Sequence, residues 1–154
     1  MKRYPLVFGL RDLIQGNGFL AGVDMEGRAL MHEEDDGYVW IEGISPGGFA
    51  GTGTNPAEAL ESFRREYKAA LYDMAEEARD FEAFQAQVRS FFENTGEIPA
   101  REWDAAVRDV REGRVAASWL NRRSADTPCH ARVVSIDQPS ADNNRLEDGP
   151  ALAA

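Results

Sequence analysis

The sequence is poor in cysteine and histidine, and it has no long apolar run. Cys129 is the single cysteine of the chain, which excludes an internal disulfide. The chain has only two histidines, His32 and His130, so a zinc site within one chain is disfavoured. No apolar run is long enough to span a membrane, and Arg11 and Asp12 interrupt the N-terminal segment too early for a secretory signal. We therefore expect a cytoplasmic protein that carries neither a cofactor nor a metal.

Positive charge is also scarce. The 154 residues include 17 Lys and Arg against 27 Asp and Glu, a net charge of −10. Residues 24–97 hold 17 acids and 6 bases, whereas residues 108–123 hold 5 bases and 2 acids. This balance argues against broad, nonspecific nucleic-acid binding and favours solubility or a basic partner. The length suits one domain with its own core.

Alternating apolar residues in the first third of the chain predict short antiparallel strands. Reversals are expected where turn-forming residues cluster: at residues 15–18, at Glu26–Gly27, at residues 34–37 and within residues 43–48. The strands predicted between these reversals are residues 6–10, 19–25, 28–33, 38–42 and 49–54.

The strongest pattern in the chain is an amphipathic helix that begins at Asn55. Asn55 is a good N-cap, Pro56 suits the first helical position, and Glu58 lies where it closes a capping box. Apolar residues then recur at steps of three and four on one face: Leu60, Phe63, Tyr67, Leu71, Met74 and Ala78. Strands followed by a helix favour an α+β fold, in which an antiparallel meander packs against this helix.

Two further amphipathic helices are predicted beyond it. Asp80 is a suitable cap for the first of them, and the alternative is that this segment continues the preceding helix through a bend. Residues 98–113 carry the second, which Gly113 ends. The large apolar side chains of both helices are expected to fill a core: Phe81, Phe84, Phe91, Phe92 and Trp103.

The last part of the chain predicts less regular structure. Residues 115–120 are compatible with one further helical turn, and residues 129–137 with a short strand. The sequence from residue 138 onward has no period and is rich in turn formers, which predicts a disordered tail. We expect one α+β domain with a helical extension over residues 1–120, followed by a polar loop, a short strand and the tail over residues 121–154.

No pattern typical of an active site is present. The sequence lacks a Ser-His-Asp, Cys-His or His-Glu-x-x-His arrangement, so we expect no catalytic residue. The four consecutive acids at residues 33–36 are of the type that divalent cations bind. At a hairpin tip, however, consecutive side chains point apart and water solvates each of them. A solvated acidic turn is the favoured interpretation.

The centre of the chain resembles the HicB-type antitoxins. That family has an acidic turn that leads into a Gly-Tyr-Val strand, and Asp36-Gly37-Tyr38-Val39 matches it here. A Pro-Gly break follows at residues 46–47. The helix start of the family then corresponds to Gly-Thr-Asn-Pro-Ala-Glu-Ala-Leu at residues 53–60, with asparagine in place of the usual cap threonine. The resemblance covers roughly residues 28–78.

This resemblance implies a degraded RNase H-like α+β fold without catalytic carboxylates, which binds and masks a small basic HicA-like ribonuclease. The acidity of residues 24–97 suits such a partner, because opposite charges steer association. We expect a homodimer that acts by binding protein and performs no chemistry. The candidate contact residues are Glu33, Glu34, Asp35, Asp36, Tyr38 and Trp40.

Two other functions remain open at this point. The first is a DNA-binding transcriptional regulator that uses the basic residues 108–123, in which Arg108, Arg111 and Arg114 fall on roughly one helical face. The second is a metal-dependent nuclease that retains RNase H-like chemistry. Such an enzyme needs carboxylates that converge on two ions.

Overall fold

The computed structural model describes residues 1–136 and 151–154, which form one sheet and three helices. No helix in this part of the chain combines the length and the apolar character that a membrane crossing needs. The elements are β1 (Lys2–Gln15), β2 (Leu20–Glu33), β3 (Val39–Ser45), β4 (Gly47–Gly53), α1 (Pro56–Glu77), α2 (Phe81–Phe92), α3 (Glu97–Arg111), β5 (Asn121–Arg123), β6 (His130–Ser135) and β7 (Ala151–Ala153).

The sheet is built around the long hairpin of β1 and β2. These 14-residue strands pair without a break, from Lys2 opposite Glu33 to Gln15 opposite Leu20. The strand order is β4-β3-β2-β1-β7-β5, and β6 pairs with the first half of β2. Neighbouring strands are antiparallel except β5 and β7. The predicted α+β class, with a meander followed by a long helix, is confirmed.

The predicted reversal at Glu26–Gly27 is wrong, because β2 runs straight through these residues. Gly27 lies opposite Phe8 in the hairpin. A Cβ atom at Gly27 would come within 2.5 Å of the Ser45 carbonyl oxygen and 2.9 Å of the Phe8 ring. The glycine therefore permits close packing inside the sheet, and one long strand replaces the two predicted ones.

The predicted disordered tail is wrong for its last residues, because Ala151–Ala153 form β7. This strand is buried and lies between β1 and β5. Residues 138–150 of the same prediction lie outside the described residues. The short strand predicted within residues 129–137 is confirmed as β6. Since β5, β6 and β7 all join the sheet of the preceding residues, the part of the chain after residue 120 completes that sheet.

Helix α1 begins where the sequence predicts. The Asn55 side-chain oxygen accepts a hydrogen bond from the Glu58 amide at 3.0 Å. The Glu58 carboxylate accepts from the backbone amide of Thr54 at 2.9 Å and from its hydroxyl at 2.6 Å. These bonds lower the pKa of the Glu58 carboxyl and keep it ionised in the first turn, where the helix dipole favours negative charge.

One face of the sheet, which we call the inner face, packs against α1 and α2. Phe63, Tyr67 and Leu71 of α1 are almost completely buried there. The Phe63 ring contacts Phe8 of β1 and Phe49 of β4, with ring centroids 5.2 and 4.8 Å apart. Helix α2 starts at the predicted cap, where the Asp80 carboxylate accepts from the Ala83 amide at 2.8 Å. Of the side chains predicted to fill a core, Phe84 is buried on this face, and Phe81, Phe91 and Phe92 pack against the same cluster partly buried. The fifth, Trp103, lies on the opposite face.

The opposite face of the sheet, which we call the outer face, packs against α3. Trp103 and Val107 of α3 are buried in a second apolar cluster with Val7, Leu30 and Ile44 from the strands. The Arg28 guanidinium lies 4.5 Å from the centre of the Trp103 ring, in the geometry of a cation–π contact. Helices thus cover part of both faces of the sheet.

Candidate functional site

The four predicted acids lie at one end of the sheet, where Glu33 is the last residue of β2 and the other three belong to the turn that leads to β3. We call residues 33–36 the acidic turn. The Glu34 amide donates to the Tyr38 carbonyl at 2.8 Å, and the Gly37 amide donates to the Glu34 carbonyl at 2.9 Å. The Asp36 carboxylate accepts from the Tyr38 amide at 2.9 Å. These bonds hold the backbone of the turn and the Asp36 carboxylate in place at the surface.

The charge of the acidic turn is largely unneutralised. Asp35 has a side chain that is 99% exposed, and it pairs with the terminal ammonium of Met1 at 3.1 Å. Among residues 1–136 and 151–154, no Lys or Arg side chain forms an ion pair with any of the four carboxylates. An exposed pair contributes little to stability because water and salt screen it. The turn therefore presents a compact negative surface.

Trp40 lies beside the acidic turn on the outer face. Its indole nitrogen donates to the Glu34 carboxylate at 3.3 Å. The Trp40 ring stacks on the ring of His32, its cross-strand neighbour, with centroids 3.6 Å apart and planes 1° from parallel. The His32 Nε2 atom lies 3.0 Å from the Glu42 carboxylate. Trp40 is thus held between a carboxylate and a buried imidazole.

His32 is 3% exposed, and its burial lowers the pKa of the imidazole below the ordinary value of 6.5. The hydrogen bond and charge of Glu42, with a contribution from Glu102, act in the opposite direction. The positive charge of Arg3 adds to the lowering. Burial is the largest of these causes, so the folded protein favours the neutral imidazole.

This lowered pKa predicts that the free energy of unfolding decreases as the pH falls below 6.5. Below that pH the unfolded chain binds a proton at His32, whereas the folded protein binds it only at a lower pH. Protonation therefore favours the unfolded chain, and stability is lost progressively. His32→Phe keeps a ring against Trp40 and removes the titration. Urea unfolding curves from above to below pH 6.5 should show a smaller loss of stability for this variant than for the wild type.

His130→Gln is the matched control, because it removes the other histidine of the chain. Comparison of the two variants shows how much of the pH dependence of stability belongs to His32. If the free energy of unfolding of the His32→Phe variant falls with pH as steeply as that of the wild type, protonation of His32 does not limit stability.

An apolar groove of about 410 Å³ lies at the same end of the sheet, on the inner face. Its floor is formed by buried strand residues and one wall by the start of α1. The segment between α3 and β5 forms the other wall. The lining residues are Leu6, Met31, Ile41, Asn55, Pro56, Ala57, Leu60, Trp119 and Leu120.

The acidic turn and the groove are connected through Tyr4, which contacts Glu33 on one side and the groove residue Trp119 on the other. Glu33 follows Met31 by two positions on β2, so both side chains point to the inner face. The Tyr4 hydroxyl donates to the Glu33 carboxylate at 3.4 Å. Burial raises the pKa of Tyr4 and the Glu33 charge adds to this, which keeps the donor protonated. The Tyr4 ring contacts Trp119 edge to face, with centroids 6.1 Å apart.

The predicted contact residues are therefore close together along the sheet but divided between its faces. Glu33 lies on the inner face at the groove, whereas Glu34 and Trp40 contact each other on the outer face. Tyr38 is 44% exposed next to the turn.

Sequence analysis missed Trp119, which is 55% exposed although it is a large aromatic residue. It placed residues 115–120 in a helical turn, and they form a single hydrogen-bonded turn from the Leu120 amide to the Ala117 carbonyl. The available signal was the position of Trp119 after a serine and shortly before the polar Asn121, where no apolar period explains a tryptophan.

The basic segment differs from its prediction. Arg108 and Arg111 lie on α3, but Arg114 follows the end of that helix and Gly113, whose φ is +74°. The prediction that all three share a helical face is therefore wrong for Arg114. The Arg114 guanidinium pairs with Asp109 at 2.8 Å and also with Glu112. Arg111 lies 3.9 Å from the carboxylate of Asp126. Nearby acids thus offset part of the positive charge, and DNA binding by residues 108–123 stays a prediction.

The described part of the chain contains no group of three His, Cys, Asp or Glu side chains placed to hold a metal ion. No family model matches this chain, and neither a curated protein nor a solved structure matches it. The resemblance to HicB-type antitoxins therefore stays a prediction that rests on the residues 28–78 themselves.

Proposed function

We propose that the protein is a cytoplasmic, non-enzymatic module that binds a small basic protein at the acidic end of its sheet. The acidic end of the sheet here means the acidic turn together with Tyr38, Trp40 and Trp119. The observation that carries the proposal is that the acidic turn, whose carboxylates form no ion pair with a described Lys or Arg, lies close to the exposed Tyr38 and Trp119 and the half-buried Trp40. By resemblance to the HicB-type antitoxins, the partner is a ribonuclease of the HicA type, which is masked by the complex.

The structure of the acidic turn supports this proposal in two ways. Its internal hydrogen bonds hold the backbone of the turn and the Asp36 carboxylate in place before binding, so less conformational freedom is lost when a partner docks. Tryptophan and tyrosine are also the residues that most often dominate binding energy at protein interfaces. The negative field of the turn would accelerate encounter with a cationic surface, and this effect should weaken as salt is added.

The proposal is tested by removing the charge of the acidic turn while keeping its shape. Amide side chains preserve the oxygen atoms that accept from the Tyr38 amide and the Trp40 indole. The variant combines Glu33→Gln, Glu34→Gln, Asp35→Asn and Asp36→Asn. A matched control removes four exposed acids from α1 and the end of α2, which gives the same net charge: Glu66→Gln, Asp73→Asn, Glu76→Gln and Glu93→Gln.

Tagged wild-type protein is purified from native cells at low salt, and the small basic protein it retains is identified and prepared separately. We expect that partner to bind the wild type and the control with similar affinity. It should bind the amide variant about tenfold more weakly. The wild type and the control should inhibit RNA cleavage by the partner to a similar extent, and the amide variant should inhibit it less. Light scattering of the purified wild type tests the expected homodimer in the same preparation.

The proposal fails if no small basic protein is retained at low salt. It also fails if the partner binds the amide variant as tightly as the control, because the negative turn would then contribute nothing to recognition.

A further inference from the structure

We infer that the apolar groove beside Trp119 receives one large apolar side chain of the partner, presented by a segment that also carries Lys or Arg. This inference rests on the proposed function and adds to it the chemistry of the docking segment. It combines an apolar groove with the nearby acidic turn, which Tyr4 links by contacting both Trp119 and Glu33.

The size and the floor of the groove suit an apolar side chain. Its volume of about 410 Å³ falls within the usual range for pockets that take small molecules or side chains. Leu6, Met31 and Ile41 form a floor that is at most 2% exposed. This floor belongs to the sheet and does not have to move when the groove is filled. A leucine or phenylalanine that enters it gains the full benefit of leaving water.

The lining offers little to a polar group. Asn55 is the one amide side chain in it, and its oxygen already caps α1 by accepting from Glu58. The start of a helix normally attracts an anion, but Pro56 has no amide hydrogen and the ionised Glu58 occupies the first turn. An anionic apolar molecule, such as a fatty acid, is therefore disfavoured in this groove.

The charges at the rim favour a cationic neighbour. Glu33 adjoins the groove through Tyr4, and the rest of the acidic turn continues beyond it. Glu58 follows the wall residue Ala57 and carries a charge beside the groove. On the other side, an adjacent hollow shares Ala57 and Leu60 with the groove and is lined by one acid and the three bases of α1. The Lys or Arg of the docking segment is therefore placed on the Glu33 side of the groove, away from these bases. A Lys or Arg close in sequence to the inserted side chain can reach the acidic turn.

Trp119 is the residue on which insertion depends most. It is 55% exposed, and the Tyr4 ring holds one edge of it at the groove. A side chain that fills the groove would cover part of this exposed indole. Aromatic side chains that become buried in this way commonly contribute the most to binding energy.

The experiment uses two synthetic peptides of equal charge, one with two leucines among lysines and the other with serines in place of the leucines. Their affinities for the full chain are measured by calorimetry at low salt. We expect the leucine peptide to bind about tenfold more tightly, which is the effect of burying one such side chain. Trp119→Ala should abolish this advantage, and Leu60→Ser should reduce it.

Tyr72→Ala is the matched control, because Tyr72 is an exposed aromatic residue of α1 that does not line the groove. It should leave the advantage of the leucine peptide unchanged. Circular dichroism and thermal unfolding show whether each variant is folded. Since Trp119 is exposed, its replacement is expected to leave the fold intact.

The outcomes separate this inference from the proposed function. If both peptides bind equally and their affinity falls with salt, the acidic turn recognises cations without the groove, which overturns the inference alone. If neither peptide binds, the inference is overturned, whereas the proposed function is decided separately by the affinity of the retained basic protein for the amide variant. If laurate binds more tightly than the leucine peptide and depends on Trp119, the groove is a site for anionic lipid and the inference is wrong.

Discussion

Gly51→Ala is expected to lower the free energy of unfolding by about 3 kcal/mol or more, or to prevent folding. Gly51 lies in β4, where the strand passes directly beneath α1. A Cβ atom there would overlap the Phe63 amide nitrogen and come within 2.5 Å of the Phe63 Cα and 2.7 Å of the Ala59 carbonyl oxygen. These are backbone atoms of a helix and cannot move singly, so the whole helix would have to lift from the sheet.

Gly9→Ala is the control for this substitution. Gly9 is also a strand residue, in β1, but the nearest atom to an added Cβ is the Met25 carbonyl oxygen at 3.7 Å, an ordinary contact distance. The control should change stability by less than about 1 kcal/mol. Urea unfolding followed by circular dichroism compares the two variants. Wild-type stability of the Gly51→Ala variant would show that α1 does not pack this closely on β4.

Phe63→Ala is expected to cost about 3–5 kcal/mol, the usual effect of removing a buried phenylalanine ring. Phe63 is 1% exposed and lies at the centre of an aromatic cluster. Its ring contacts Phe8, Phe49 and Tyr67, with centroids between 4.8 and 6.3 Å apart. Removing it leaves a cavity that these rings, which belong to three different elements, fill only in part. Many domains of this size have a total stability not much larger than this loss.

Two substitutions accompany this test. Phe63→Leu keeps much of the volume and should recover part of the stability. Tyr72→Ala removes an aromatic ring from the exposed side of the same helix, where it is 47% exposed, and should change stability by about 0.5 kcal/mol or less. Chemical denaturation at constant pH measures the change in the free energy of unfolding for each of the three variants. Equal losses for Phe63→Ala and Tyr72→Ala would contradict the burial of the inner face.

The helices could be predicted from the sequence because their signals are local. The hydrogen bond between Asn55 and Glu58 joins residues three positions apart, and a cap of the same kind at Asp80 starts α2. The spacing of Phe63, Tyr67 and Leu71 follows the helical period, so it also identified the buried side of α1. The acidic turn was found for the same reason, since its acids are consecutive and precede a glycine.

The groove could not be predicted, because its walls come from distant parts of the chain. Leu60 and Trp119 meet across a floor of strand residues only once α1 and the segment after α3 are in place. The contact between Tyr4 and Trp119, which links the groove to Glu33, joins residues that are far apart in the sequence. No period or motif in a single segment encodes such a contact.

By itself, the sequence determined the α+β class, the three helices and the acidic turn, because caps, helical periods and consecutive charges act over a few residues. Only the tertiary structure decided that β2 continues through Gly27, where a ring from β1 occupies the space a side chain would need. It also decided that Ala151–Ala153 form a strand, because their hydrogen-bonding partners are residues of β1 and β5. Strand pairing depends on residues far apart in the chain, and short strands become stable only when those partners are assembled.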